Sequence, residues 1–131
     1  MAIGDVLDPE TERIATIIVD AIFKVHSYLG PGLLESVYER CLILELQARG
    51  LMVEQQVLVP IIYRETAIEP GLRLDLLVEG RVVIELKSVE KIVPIFESQT
   101  LTYLKLSKKR LGFLVNFNVV YIKEGIERII L

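Results

Sequence analysis

The stretch that decides the fold is RLDLLVEGRVVIELKS, residues 73–88. Two apolar runs, Leu72–Val78 and Arg81–Val89, flank Glu79-Gly80 and read as the strands of a hairpin. Side chains alternate across a strand, so Val83, Glu85 and Lys87 share one face. The direction of Asp75 depends on the turn. A two-residue Glu79-Gly80 loop sets Asp75 opposite Ile84, on the other face from Glu85. A three-residue loop, Val78-Glu79-Gly80, sets it opposite Val83 and diagonal to Glu85, with Gly80 in the left-handed position that glycine favours. The two-residue turn forces Glu79 to positive φ, which Asn or Asp tolerates better. Turn chemistry therefore favours Asp75, Glu85 and Lys87 on one face.

Two carboxylates beside an ammonium suit divalent-metal hydrolysis. Mg²⁺ takes oxygen ligands and keeps several waters. Such an ion polarises a phosphoryl oxygen and lowers the pKa of a bound water, while a lysine orients that water or stabilises developing negative charge. The bland alternative is a cross-strand salt bridge on a solvated face, since charged strand residues are common. The setting argues against it. Glu85 and Lys87 interrupt the apolar strand Val82–Val89, and Asp75 stands among Leu72, Leu74, Leu76 and Leu77. A charge at a buried position is costly unless it is paired or binds metal.

Outward from the hairpin, a first helix starts at Asp8-Pro9, with Asp8 as N-cap and Pro9 at the first helical position. Ile14, Ile17, Ile18, Ala21, Ile22, Val25 and Leu29 follow helical spacing as far as Gly30-Pro31-Gly32. A second helix is expected over Gly32–Arg49, with Leu34, Val37, Tyr38, Cys41, Leu44 and Ala48 as its apolar stripe and Gly50 as its stop. Glu35 sits at the edge of that stripe and Glu39 further toward water. Glu45 falls near the stripe, where its charge is unexplained. Val53–Tyr63 reads as a long strand, with Pro60 marking an edge or a bulge, and Arg64–Gly71 as a polar connection. Pro94–Leu106 reads as a helix and Leu111–Phe117 as a buried strand. Val119–Ile122 and Ile126–Leu131 read as short extended segments. The order predicts a mixed α/β fold, a central sheet flanked by helices.

Composition narrows the chemistry. The 131 residues fit one domain spanning the whole chain. Hydrophobic residues make up 52% and the mean hydropathy is +0.47, which excludes a disordered chain. One cysteine and one histidine exclude a disulfide framework and a zinc site built on two of either. The net charge is −3 and the pI about 5.2, against the basic balance usual in non-specific DNA binders. A carboxylate metal site would itself lower the pI. Charges break every apolar run before 18 residues, and the acidic start MAIGDVLDPETERI lacks signal-peptide order. A cytoplasmic protein outside the membrane is expected.

DLLVEGRVVIELK resembles the Asp…Glu-x-Lys signature of the PD-(D/E)xK nuclease superfamily, and GLLESVYE, with Gly32, Glu35 and Tyr38, is similar to the signature of the GxxExxY family within it. The resemblance runs from VHSYLGPGLLESVYE to LGFLVNFN. It implies a restriction-endonuclease-like core, α-β-β-β-α-β, the order already read from Gly32 to Phe117. It also implies Mg²⁺ or Mn²⁺ held by Asp75, Glu85 and the Leu86 carbonyl with help from Glu35, and Lys87 as the catalytic lysine. Gln99 and Tyr103 resemble a Gln-x-x-x-Tyr element found in part of the superfamily, and their spacing puts them on one helix face. Leu74 stands where the signature has proline, which removes no ligand.

Other candidates carry less. Lys105, Lys108, Lys109 and Arg110 form a basic cluster whose readings are phosphate contact or a solvated helix end. His26 reads as a packed or capping residue and Cys41 as a small buried one. The resulting expectation is a nuclease-like phosphodiesterase acting on nucleic acid, DNA ahead of RNA. The alternative is a non-catalytic nucleic-acid- or protein-binding domain on the same fold. Long strand Val53–Tyr63 and the apolar tail Ile126–Leu131 are expected sources of exposed apolar surface, which a two-fold homodimer would cover. The tail folding back onto its own sheet is the competing expectation.

Overall fold

A computed structural model describes residues 6–131. The reading of the first residues as no signal peptide falls partly on residues 1–5, outside the described residues. Helices α1 (Pro9–Leu29) and α2 (Glu35–Ala48) precede strands β1 (Val53–Tyr63), β2 (Thr66–Val78) and β3 (Val82–Lys87). Helix α3 (Pro94–Ser107), β4 (Leu111–Asn116), a 3₁₀ turn (Ile122–Gly125) and β5 (Ile126–Ile130) follow. The five strands form one sheet in sequence order. All neighbours are antiparallel except β3 and β4, which run parallel and are joined through α3. From α2 to β4 the order is the α-β-β-β-α-β expected.

Each helix begins and ends for a local reason. Asp8 caps α1 by accepting the Thr11 N–H at 2.8 Å, and Pro9 occupies the first turn. Gly30 closes α1 at φ 73°, its N–H bonded to the His26 carbonyl at 2.8 Å. The second helix starts at Glu35, three residues later than expected, because Gly32 takes a left-handed φ of 95° and Leu34 remains extended. Glu45 owes its place near the apolar stripe to Arg49, one turn on, whose Nε lies 2.9 Å from its Oε2. Arg49 also pairs with Asp20, tying α2 to α1.

Two cores sandwich the sheet. The larger lies under α1 and α2, where Ile14, Ile18, Ile22, Leu42 and Leu46 meet Leu76, Ile84, Leu86, Phe113 and Phe117. The smaller lies under α3, where Leu104 meets Leu72, Leu74, Leu77 and Val83. Three expectations need correcting. Residues 64–71 are not a loose connection: Arg64 and Glu65 make a tight turn and β2 begins at Thr66, pairing with β1 along its length. The ribbon shifts register between Val59 and Ile61, at Pro60, and Gly71 lies against that shift. A side chain there would meet the Val59 carbonyl oxygen at 2.4 Å. Val119–Ile122 is not a strand and leads into the 3₁₀ turn. The tail is β5, paired with β4 from Ile126 to Ile130, so it folds back onto its own sheet with its isoleucines half-buried and Leu131 exposed. Among the described residues no helix is long and apolar enough to cross a membrane.

Candidate active site

The hairpin between β2 and β3 adopts neither anticipated register. Val78 pairs with Val82 and Leu76 with Ile84, so three residues, Glu79–Arg81, form the loop, one position later than the three-residue alternative. The register, continued one step, sets Asp75 directly opposite Glu85. Glu79 accepts the positive φ (53°) that local chemistry disfavours. Its N–H bonds the Met52 carbonyl at 2.8 Å, and its carboxylate accepts the Met52 N–H at 2.6 Å. These two bonds offset the strain of about 1–2 kcal/mol that a left-handed residue carries.

Backbone pairing stops at Leu76↔Ile84, and the two acids take over beyond it. Glu85 Oε2 accepts the Asp75 N–H at 2.9 Å, and Asp75 Oδ2 accepts the Leu86 N–H at 2.8 Å. Each bond uses one oxygen of a carboxylate that has two. The N–H and C=O of one strand residue point to the same side. The Lys87 carbonyl accepts the Phe117 N–H on the β4 side at 3.0 Å, so the Leu86 carbonyl faces the β2 side with Asp75.

Glu85 is only 4% exposed. Burial, then the neighbouring Asp75 charge, pushes its pKa up to about 8, against the opposing pull of the Asp75 N–H and Lys87. Burial also raises Asp75, opposed by the Leu86 N–H, Lys87 and Arg73. Glu35 is raised by desolvation and then by Asp75. Like charges held close in a poorly hydrated place behave this way, and a cation would relieve them. Lys87 Nζ rests 4.5 Å from the centre of the Phe96 ring at the start of α3, a cation–π contact.

Glu35 reaches this place through Gly32 and Tyr38, the other two residues of its motif. Tyr38 is fully buried and stacked on Phe117, ring centres 4.5 Å apart. Its hydroxyl donates to the Gly30 carbonyl at 2.6 Å and accepts the Leu33 N–H at 3.1 Å. Ser88, just past Lys87, donates to the Leu33 carbonyl at 2.6 Å. The loop before α2 is thereby tied to the end of β3, and Glu35 is carried toward Asp75.

A cleft of about 540 Å³ brings Glu35, Asp75, Glu85, Lys87, Gln99 and Tyr103 together. Gln99 Nε2 donates to the Tyr103 hydroxyl at 3.1 Å, one turn apart on α3. Burial raises the Tyr103 pKa, and the charges of Glu85 and Asp75 add to it. Lys105, Lys108 and Lys109 do not line the cleft. Lys105 is rotated roughly 200° around α3 from Tyr103, and Lys108 is the left-handed cap of that helix (φ 60°). His26 is buried, with Nε2 2.8 Å from the Val119 carbonyl oxygen and its ring beside Phe117. Cys41 packs against the α1–α2 core.

Three further residues lie in or beside the site. Arg73 lines the cleft. Its spacing two before Asp75 on one strand was a usable signal. Glu39 does not point to water as expected; it is half-buried and accepts the Gln56 amide at 3.0 and 3.2 Å. Gln56 itself carried no signal in the sequence.

The donor set is one buried and one half-buried carboxylate, a strand carbonyl and a nearby third carboxylate, all oxygen, which fits a hard cation that keeps waters. Among the described residues no group of three or more Asp, Glu, His or Cys is placed to hold a metal ion by itself. A family model for the PD-(D/E)XK nuclease superfamily matches residues 12–129. The chain belongs to the PD-(D/E)XK nuclease superfamily. No curated protein and no solved structure matches the chain. The five-stranded mixed sheet between helices is consistent with the restriction-endonuclease-like fold. Membership supports a nuclease-like function; nucleases of the PD-(D/E)XK superfamily generally use divalent metals and act on nucleic acid.

Proposed function

We propose that this PD-(D/E)XK protein is a metal-dependent nuclease that hydrolyses phosphodiester bonds, with DNA ahead of RNA as substrate. One observation carries the reading: Asp75 and Glu85 face each other across the parted ends of β2 and β3, desolvated and beside Lys87. Asp75, Glu85 and the Leu86 carbonyl, with Glu35, would hold Mg²⁺ or Mn²⁺. Such an ion, when bound, neutralises the acids and polarises a phosphoryl oxygen. Lys87, steadied by Phe96, holds its ammonium where negative charge develops and orients the attacking water. Arg73 supplies a cation for a neighbouring phosphate, and the Gln99–Tyr103 pair gives the strand hydrogen-bonding groups from α3. Lys105, Lys108 and Lys109 lie outside the cleft lining and are left as outlying contacts. Gly32, Glu35 and Tyr38 support a place in the GxxExxY family.

A second reading, a non-catalytic binding domain for nucleic acid or protein, is favoured by the acidic pI of about 5.2. Leu58 (65% exposed) and Ile62 (63%) on the edge strand β1 also support cover by a second copy. Light scattering checks that: a homodimer doubles the 14.9 kDa mass at micromolar concentration, and a single-chain mass throughout overturns it. The catalytic reading is tested by cleavage assays over single- and double-stranded DNA and RNA with Mg²⁺ or Mn²⁺. Wild type should cut at least one substrate, and Glu85→Ala and Lys87→Ala should not. A folded wild type that binds these polymers without cutting any favours the second reading.

A further inference from the structure

Gln56 sits in the middle of β1 with φ 52°, a left-handed conformation that a non-glycine residue in a strand rarely adopts. It falls where the pairing skips. Gln55 pairs with Leu76 and Val57 with Leu74, while Gln56 and Asp75, opposite each other, make no pair. The skip coincides with a change of core. Leu76 packs under α1 and α2, whereas Leu74, two residues earlier on the same strand, packs under α3. The β1–β2 ribbon therefore turns between the two cores at the Gln56–Asp75 step. Strain of this kind persists only where surroundings over-determine it, and it concentrates at functional sites.

The side chain accounts for the conformation. Gln56 Nε2 donates to both oxygens of Glu39 on α2, at 3.0 and 3.2 Å. Asp75 stands opposite Gln56, close enough for the Gln56 amide to hold the Asp75 pKa down against the effect of burial. An ionised carboxylate only accepts, so only the amide NH₂ group can donate to either acid. One amide on β1, held by α2, thus faces the β2 acid proposed to hold the metal.

We infer that Gln56 is a positioning residue: its amide spans Glu39 and Asp75 and sets the Asp75 carboxylate for a divalent cation. Gln56 touches neither the cation nor the substrate. The inference rests on the reading of Asp75 as a ligand. Groups that orient ligands in this manner typically cost roughly 10–100-fold in metal affinity when removed.

The test uses the whole chain and has two arms. Without added metal, ¹⁵N-edited NMR should show the Gln56 side-chain amide peaks shifting in Glu39→Gln and again in Asp75→Asn. Peaks that ignore Asp75→Asn overturn the bridge. In the second arm, calorimetry follows Mn²⁺ binding while thermal melts follow stability. Gln56→Gly removes the amide but accepts the left-handed backbone. It should keep the wild-type melting temperature and bind Mn²⁺ roughly 10–100-fold more weakly. Gln56→Asn, which tolerates the same backbone and keeps an amide, should recover part of that loss. Wild-type Mn²⁺ affinity in Gln56→Gly overturns the inference. A wild type that binds no Mn²⁺ overturns the metal reading of Asp75, and with it the assigned purpose of the bridge, whereas the amide peaks separately show whether the bridge exists.

Discussion

Val82, Ile84 and Leu86 leave β3 toward the core under α1 and α2, and each is fully buried there. Glu85 and Lys87 leave the same strand toward the cleft beside α3. One face is aliphatic and dry; the other gives up apolar packing for charges that burial disfavours. The contrast shows where the stability of this small fold resides. The α1–α2 face supplies apolar burial, and the α3 face uses the rigidity so obtained to hold Glu85 desolvated. A residue such as Glu85, with its pKa near 8, opposes folding at neutral and alkaline pH. Its presence with Lys87 in a strand that is otherwise apolar supports the proposed site.

The sharpest way to break this contrast is to exchange activity against stability. Glu85→Ala and Lys87→Ala should lower cleavage by about 10³-fold, the scale for losing a group that stabilises developing charge, with the fold retained in circular dichroism. Ile84→Ala, next to Glu85 in sequence but on the other face, should cost about 2–5 kcal/mol in urea unfolding. Its remaining folded fraction should keep its specific activity. Equal stability losses from Ile84→Ala and Glu85→Ala would erase the distinction.

Acid–base behaviour sharpens the same point. A carboxyl whose folded pKa is raised binds its proton more tightly when folded than when unfolded. Without metal, the Glu85 contribution is therefore full below about pH 4.5 and is lost as pH climbs to about 8. The loss is on the order of a few kcal/mol. Melting temperature should fall across that window in wild type, and Glu85→Gln should flatten the fall. Ile84→Ala should lower the whole curve without flattening it. Metal reverses the effect: Mn²⁺ at 100 times its Kd should stabilise the wild type by about 2.7 kcal/mol. A melt of Glu85→Ala should not respond. The smallest effect expected comes from the residue that joins the two faces. Tyr38→Phe removes the hydroxyl shared by Gly30 and Leu33 and should cost about 0.5–1.5 kcal/mol. Its stacking on Phe117 would remain, so a larger loss in melts would show that the hydroxyl does more than hold the Glu35 loop.

Much of this arrangement was legible in the chain. Asp8-Pro9 and Gly30 mark the ends of α1 by capping chemistry, which acts over one turn. The alternation in VVIELK put Glu85 and Lys87 on one face, and the four-residue spacing of Gln99 and Tyr103 did the same on α3. Other features had no local signal. Arg64–Gly71 is polar and looks like a loop, but its backbone pairs with β1 across Pro60. Lys105, Lys108 and Lys109 are near Tyr103 in sequence, yet they do not line the cleft.

What the sequence by itself determined is periodicity: which residues form helices and strands, their order, and which charges interrupt apolar faces. These follow from interactions within one turn or one strand pair. The tertiary structure alone decided how the strands slide and which distant groups meet. Met52 holds Glu79 in a conformation its own chemistry resists, which moves the hairpin register and sets Asp75 against Glu85. Gln56 holds a left-handed turn while its amide is bonded to Glu39, 17 residues away in the chain. In each case the local cost is about 1–2 kcal/mol, and bonds between residues far apart in the chain offset it. Local sequence carries the cost in plain view, and only the folded chain carries the compensation.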